Sequence, residues 1–292
     1  MKKFLKNIFI ALSASLIFFE VLLRVFHLTN DVPRRKIKNN LQSYKINQEG
    51  YYKGAKWKVN NFGFLGFDDT FGGNDQVLLV GDSYVENMMN DIECHIGFYL
   101  KENNLKVFEL ARSGMTFIEY LEFIKFYTPK IKQAKTIVLV NENDIKESIS
   151  NINEYSDRLQ INVESGEIKK VKIKSPFLKS VLYNVKSLYY LYSKGFLNFS
   201  FPQMLSQKDK VPTKKDEFSK KFFKLIKSKY DLSDMYFICF NMGKDNLELF
   251  KNYNLNFIGV NDFKRGELRD DDNHFTCSGN KKIADLILKF FI

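Results

Sequence analysis

Apolar and polar positions divide the chain into a long apolar segment, a polar stretch, and a series of short apolar runs set among helical patterns. Three lysines, Lys2, Lys3 and Lys6, precede "IFIALSASLIFFEVLLRVFHL". Read as one helix from Phe4 to Leu28, this segment is long enough to cross a bilayer, which takes roughly 20 residues. Ser13-Ala14-Ser15 is a small-residue patch of the kind found at cleavage sites. Strongly apolar sequence follows it where a mature terminus would be polar, so an uncleaved anchor over residues 1–28 is the expectation. Glu20 and Arg24 lie four apart on one helical face and are set to pair or to snorkel toward the interface. The lysines favour a cytoplasmic N-terminus with the remainder exported, while Arg34, Arg35, Lys36 and Lys38 on the other side of the segment favour the reverse; export is the expectation.

Residues 29–58, beginning "TNDVPRRKIKNNLQSYKINQEG", are polar with a proline and read as a linker or irregular lead-in. Short runs rich in Val, Ile, Leu and Phe follow at Val77–Val80, Val107–Ala111, Thr136–Val140, Met235–Phe240 and Asn256–Val260. Continuous apolar strands are buried on both faces, so these predict a parallel sheet between helix layers. The helical patterns fall at Cys94–Asn103, Phe117–Phe126, Phe177–Lys194, Glu217–Lys229, Asp245–Tyr253 and Ser278–Phe291. Between the third and fourth strands lie many more residues than a crossover needs, so about 151–230 reads as an insertion. Within it, "LQINVESGEIKKVKI" alternates around Ser165-Gly166 and predicts a β-hairpin. The tyrosine-rich "SPFLKSVLYNVKSLYYLYSKGF" reads as a helix packed on the sheet, with a cleft wall or a membrane-resting face as the sharper alternatives.

A chain of 292 residues, 45% apolar and 15% aromatic, can bury one substantial core. Its net charge of +11 is scattered through "KKVKIK", "KVPTKK" and "KKFFKLIKSK". That distribution suits an anionic membrane surface or an acidic glycan, and equally a genome rich in Lys and Asn codons. No nucleic-acid motif accompanies it, and no nucleic-acid partner is expected. Cys94, Cys239 and Cys277 have no metal-ligand spacing and cannot all pair with one another.

Ligands of an open parallel sheet bind outside the carboxyl ends of its strands. The first strand ends in "LLVGDSYVENM", with Gly81-Asp82-Ser83 at the break. The second ends in Ala111-Arg112-Ser113-Gly114 and the third in Asn141-Glu142-Asn143-Asp144; beyond the last, Asp271 stands three residues before His274. A serine nucleophile needs a base, a group that orients the base, and donors for the oxyanion. Ser83 supplies the nucleophile, His274 the base and Asp271 the orienting acid. The backbone N–H groups of Ser83 and Gly114 and the Asn143 side-chain amide form the expected oxyanion hole. Each element alone has a plainer reading: Gly-Asp-Ser is a frequent turn, Asp270–Asp272 a solvated charge run, and Glu142 and Asp144 ordinary strand-end acceptors. Their joint occurrence, each after an expected strand, favours the enzyme. His27 and His95 have no partners at useful spacing.

Gly81-Asp82-Ser83, Gly114, Asn143-Asp144 and Asp271-x-x-His274 occur in the chain order of the four blocks of the SGNH/GDSL hydrolase family, which this chain resembles from about Val77 to its C-terminus. "VNNFGFLGFDD" at Val59–Asp69 is similar to the lead-in of membrane-anchored bacterial members, so the hydrolase-like domain is expected over 59–292. The resemblance implies a three-layer α/β/α, flavodoxin-like fold and ester hydrolysis or acyl transfer with no metal or other cofactor. Asn141 stands where the family has Gly, a difference that bears on cleft width and on the backbone around Asn143. Tyr84 stands where Leu is common. The expected activity is a membrane-anchored, extracytoplasmic serine esterase removing acyl groups, chiefly acetyl, from a cell-envelope carbohydrate. An O-acyltransferase using the same serine and a non-catalytic glycan-binding scaffold are the alternatives.

Overall fold

The computed structural model describes residues 1–68, 76–127, 135–173, 175–197 and 215–291. The "KVPTKK" run and part of the expected insertion lie outside them. Helix α1 (Lys2–Val25) is exposed along nearly its whole length and is long and apolar enough to cross a membrane. At about 1.5 Å per residue it spans roughly 36 Å. Glu20 and Arg24 pair as expected, at 2.6 Å.

Residues 29–58 are not irregular. They form two antiparallel hairpins, β1 (Arg35–Lys38) with β2 (Leu41–Tyr44), and β3 (Glu49–Tyr52) with β4 (Ala55–Lys58). Asn39, Asn40 and Lys53 take positive φ and Gly54 sits at φ 89°, which supplies the tight turns. Two-residue connections in so polar a stretch leave little apolar alternation to read, which is why these strands escape a pattern search.

The expected sheet is present: β5 (Gln76–Gly81), β6 (Lys106–Ala111), β7 (Lys135–Asn141), β8 (Met235–Phe240) and β9 (Asn256–Val260), all parallel, in the order β6-β5-β7-β8-β9. Counted from the first strand, this is the doubly wound 2-1-3-4-5 arrangement. The intervening helices are α2 (Ser83–Glu86), α3 (Ile96–Glu102), α4 (Phe117–Tyr127), α5 (Glu142–Ser148), α6 (Pro176–Asn184), α7 (Lys186–Ser193), α8 (Lys215–Lys229), α9 (Lys244–Asn252) and α10 (Cys277–Phe291). One face of the sheet packs on α4, α8 and α9, with Phe117 at ring-contact distance from Phe222, Phe223, Phe237 and Phe250. The other packs on α3 and α10 through Ile96, Leu100, Ile283, Ala284 and Ile287. Strands β5, β6 and β7 are buried on both faces along most of their length, so their apolar runs are continuous, whereas β9 at the sheet edge is only partly buried.

Two further expectations are revised. The helix over Phe177–Lys194 breaks at Val185, which takes extended backbone, because the Glu20 carboxylate accepts from the backbone N–H groups of Lys186 and Ser187 and starts α7 there. Helix α7 therefore packs on α1, where Phe19 meets Tyr190 edge-on at 5.6 Å. The hairpin around Ser165-Gly166 reduces to a tight turn with an isolated Ile161–Ile168 bridge. The Asn162 side chain accepts from the Glu164 and Ser165 N–H groups and closes the turn locally.

Candidate active site

Strand β5 ends at Gly81, and the chain turns at once into α2, with Asp82 as its N-cap accepting from the Tyr84 N–H at 3.0 Å. Ser83 is thus the first residue of a helix at the carboxyl end of a buried strand. Its neighbours in the sheet are β6 and β7, so it lies at the switch point where strand order reverses. A Cβ at Gly81 would come 2.5 Å from Val85 Cγ2, so the turn leaves no room for a larger residue.

His274 reaches Ser83 from a loop before α10, its Nε2 lying 2.8 Å from Ser83 Oγ. The ring is held flat against Tyr84, with centroids 4.7 Å apart, and Tyr84 itself rests on Phe240 and Phe275. An aromatic at position 84 is thus the support beneath the imidazole. The placement of the two aspartates differs from expectation. Asp272, not Asp271, faces the ring: its Oδ1 is 3.2 Å from His274 Nδ1 and also accepts from the His274 backbone N–H. Asp271 turns away to Lys53 and Arg269, at 2.6 and 3.2 Å. The spacing of three is met by Asp271, but the loop folds back on itself so that Asp272 receives the backbone N–H two residues on, a local Asx-type turn that carries its carboxylate under the ring.

Lys53, at the tip of the β3–β4 hairpin, bridges both acids, with 2.6 Å contacts to each. Hydrogen bonds from Lys53 and Arg269 hold the exposed Asp271 carboxyl at about 2. Partial burial works to raise Asp272, but bonds from Lys53 and the His274 backbone outweigh it and hold this carboxyl below its ordinary range. Asp272 therefore stays ionised beside the imidazole. A disulfide, Cys94–Cys277, closes three residues beyond His274, and Asn280 and Asn90 add hydrogen bonds to Cys94 O and Phe275 O.

Gly114 sits at φ 73°, a conformation glycine adopts without strain. The peptide preceding it is fixed at its carbonyl: Ser113 O accepts from Arg35 Nη2 at 3.0 Å and Arg112 Nη1 at 2.8 Å. Two guanidinium donors on one carbonyl orient the peptide plane and polarise the Gly114 N–H on its other side. Arg112 is in turn locked by its Nη2, which donates to both carboxylate oxygens of Glu119 in full burial. Glu86 holds Ser113 from below, through its N–H and hydroxyl.

Asn141 in the glycine position is explained by its conformation. It is extended, at φ −115°, so no glycine is needed, and its side chain caps α5 by accepting from the N–H groups of Asn143 and Asp144. The Asp144 carboxylate accepts the Asn141 N–H in return, completing a capping box. The cap fixes the backbone of Asn143, whose side chain lines the cleft. Burial raises Asp82 to about 6 and raises Asp144 well above the ordinary carboxylate value, the latter reinforced by the charge of Asp82.

Ser83, Gly114, Asn143 and His274 line one cleft of about 420 Å³, together with Glu142, Glu147, Arg158 and Asn241. Arg158 and Glu147 had no motif to mark them, and only the fold of the insertion brings Arg158 in. Among the described residues, no group of three or more His, Cys, Asp or Glu side chains is gathered as a metal site.

No protein-family model and no curated protein sequence matches the chain. Solved structures similar to the chain include three proteins. A Desulfitobacterium hafniense DCB-2 protein assigned to the lipolytic G-D-S-L family aligns at 10% identity and TM-score 0.39, over 74% of this chain and 99% of that one. A GDSL-like lipase from Bacteroides thetaiotaomicron aligns at 11% and 0.35, over 74% and 87%. TesA aligns at 10% and 0.34, over 73% and 96%. Likenesses this distant carry no assignment.

Proposed function

We propose that the chain is a serine ester hydrolase of the SGNH/GDSL type, anchored by α1, that removes small acyl groups from an extracytoplasmic carbohydrate. The observation that carries this reading is the 2.8 Å contact of Ser83 Oγ with His274 Nε2, backed by an ionised Asp272. Ser83 attacks the ester carbonyl carbon while His274 Nε2 takes the hydroxyl proton, and Asp272 stabilises the imidazolium. The Ser83 and Gly114 N–H groups and the Asn143 amide receive the oxyanion. Collapse of the tetrahedral intermediate breaks the bond to the alkoxy oxygen, and His274 returns its proton to the departing alcohol. Water, deprotonated by His274, then attacks the acyl-serine, and carboxylic acid leaves as Ser83 regains its proton.

Substrate class is inferred from the cleft lining. Asn143 and Asn241 offer hydrogen-bonding groups suited to a polyol, and among the described residues the lining includes no run of aliphatic side chains for a long acyl chain. Export is inferred from α1 together with the disulfide, a bond that persists in oxidising compartments. The full chain in detergent is expected to hydrolyse p-nitrophenyl acetate, with Ser83→Ala and His274→Ala each lowering kcat about 1,000-fold or more. A wild-type rate no higher than that of the two variants would defeat the reading. Acetyl appearing on an added sugar acceptor, rather than as free acetate, would redirect it to acyl transfer.

A further inference from the structure

The loop following α5 carries Arg158 into the cleft, and the orientation of its guanidinium is specific. Nη1 pairs with Glu147, and the plane lies over the Tyr155 ring at 4.6 Å. The opposite edge faces Gly114: Nε and Nη2 each lie 3.9 Å from the point where a Cβ on Gly114 would stand. That Nε–Nη2 edge is the side-on fork that binds a carboxylate through two parallel hydrogen bonds, and it makes none to the described residues.

The surrounding charges favour an anion there. Arg35 and Arg112 both bond the Ser113 carbonyl, so three guanidinium groups surround the Ser113–Gly114 peptide. Arg112 is neutralised by Glu119, and Glu147 occupies the far end of Arg158. The cleft's other acids are engaged elsewhere or buried, and the charges of Asp144 and Asp82 partly offset the repulsion from Arg35 and Arg112. Glu142 is committed to Lys146 and the Gly243 N–H, and the Asp82 and Asp144 carboxyls are buried. Burial, followed by repulsion from Arg35 and Arg112, lowers the Arg158 guanidinium's affinity for its proton, a cost that a bound anion would relieve.

We propose that Arg158 is a specificity-determining residue whose Nε–Nη2 edge binds a carboxylate on the substrate, so that the cleft takes O-acylated acidic sugars in preference to neutral ones. This rests on the hydrolase reading of the same cleft. A purely structural Arg158, bracing Glu147 and Tyr155, would affect all esters alike.

The test uses the full chain in detergent and follows acetate release from O-acetylated oligogalacturonides and from O-acetylated xylo-oligosaccharides. Arg158→Gln is expected to lower the acidic-to-neutral ratio of kcat/KM about 10 to 100-fold, chiefly through KM for the acidic substrate. Arg158→Lys keeps the charge but not the fork, and should recover only part of the ratio. A ratio unchanged in both variants, or an equal loss on the two substrates, overturns the proposal while leaving the hydrolase intact. A wild type that hydrolyses neither oligosaccharide nor p-nitrophenyl acetate overturns the hydrolase reading and this proposal with it.

Discussion

Ser83 and His274 meet at 2.8 Å, yet the two sides of that contact are held in different ways. The serine side is built from burial: β5 is buried throughout, Val85 and Glu86 of α2 are buried, and Asp82 is 9% exposed. The histidine side is an irregular, half-exposed loop held by Lys53, by Asp271 and Asp272, and by the disulfide at Cys277. Ser83, half-buried at the end of a core strand, needs no further ties, because the packing around it removes its freedom. A base on a surface loop has little packing, so charge pairs and a covalent bond must supply its order. It follows that the two sides should respond to different perturbations.

Among the residues that support this pair, the largest effect is expected at Asp272. Asp272→Asn should lower kcat about 100 to 1,000-fold by removing the charge behind the imidazole, while Asp271→Asn should cost only a few-fold. Equal losses measured with p-nitrophenyl acetate would return Asp271 to the orienting role. Next comes the disulfide, which closes a separation of 183 residues. Its removal in Cys94→Ser/Cys277→Ser should destabilise the protein by about 2 to 5 kcal/mol. Activity should fall before global unfolding as denaturant rises, because the bond is nearer His274 than Ser83 in sequence; coincident loss of activity and far-UV signal would erase the distinction.

The serine side has its own signature, in pH. The native Asp82 carboxyl, raised by burial to about 6, binds its proton more tightly than it does in the unfolded chain. Between an ordinary carboxylate value near 4 and about 6 the folded state holds the extra proton, so stability falls as pH rises through that window. Asp82→Asn keeps a side-chain oxygen for the Tyr84 N–H and should flatten the decline, which is worth up to about 3 kcal/mol. Thermal melts of both proteins from pH 4 to 8 measure it. The histidine side has the opposite sign. Asp271 is lowered to about 2, so its contribution is complete above the ordinary value and fades as pH drops toward 2. The smallest effect belongs to Lys53→Gln, which should lower kcat a few-fold at neutral pH with little change in melting temperature, since exposed ion pairs contribute little.

The five sheet strands were legible to within a residue or so at each end because a buried parallel strand must be apolar on both faces, a constraint written directly into consecutive positions. Helices α9 and α10 were legible for a related reason, each presenting one apolar stripe to the sheet, and α4 because it is apolar and buried over most of its surface. The β1–β2 and β3–β4 hairpins were not, since they are short and polar, and they are fixed by partners far along the chain: Gln42 O accepts from Arg112, and Lys53 meets Asp271 and Asp272. The break between α6 and α7 is set by Glu20, 166 residues from the N–H it caps. No local pattern records such a contact.

What the chain order determined by itself was that Ser83, Gly114, Asn143 and His274 would each follow a strand or close the fold at one edge of the sheet, because in a parallel sheet all such positions emerge at the same end. Which of two adjacent aspartates faces the imidazole, where the Arg158 edge points, and that Cys94 meets Cys277 were decided only by tertiary structure. Loop conformation rotates neighbouring side chains to opposite sides, and contacts between residues scores or more apart depend on packing of the whole chain rather than on any spacing along it.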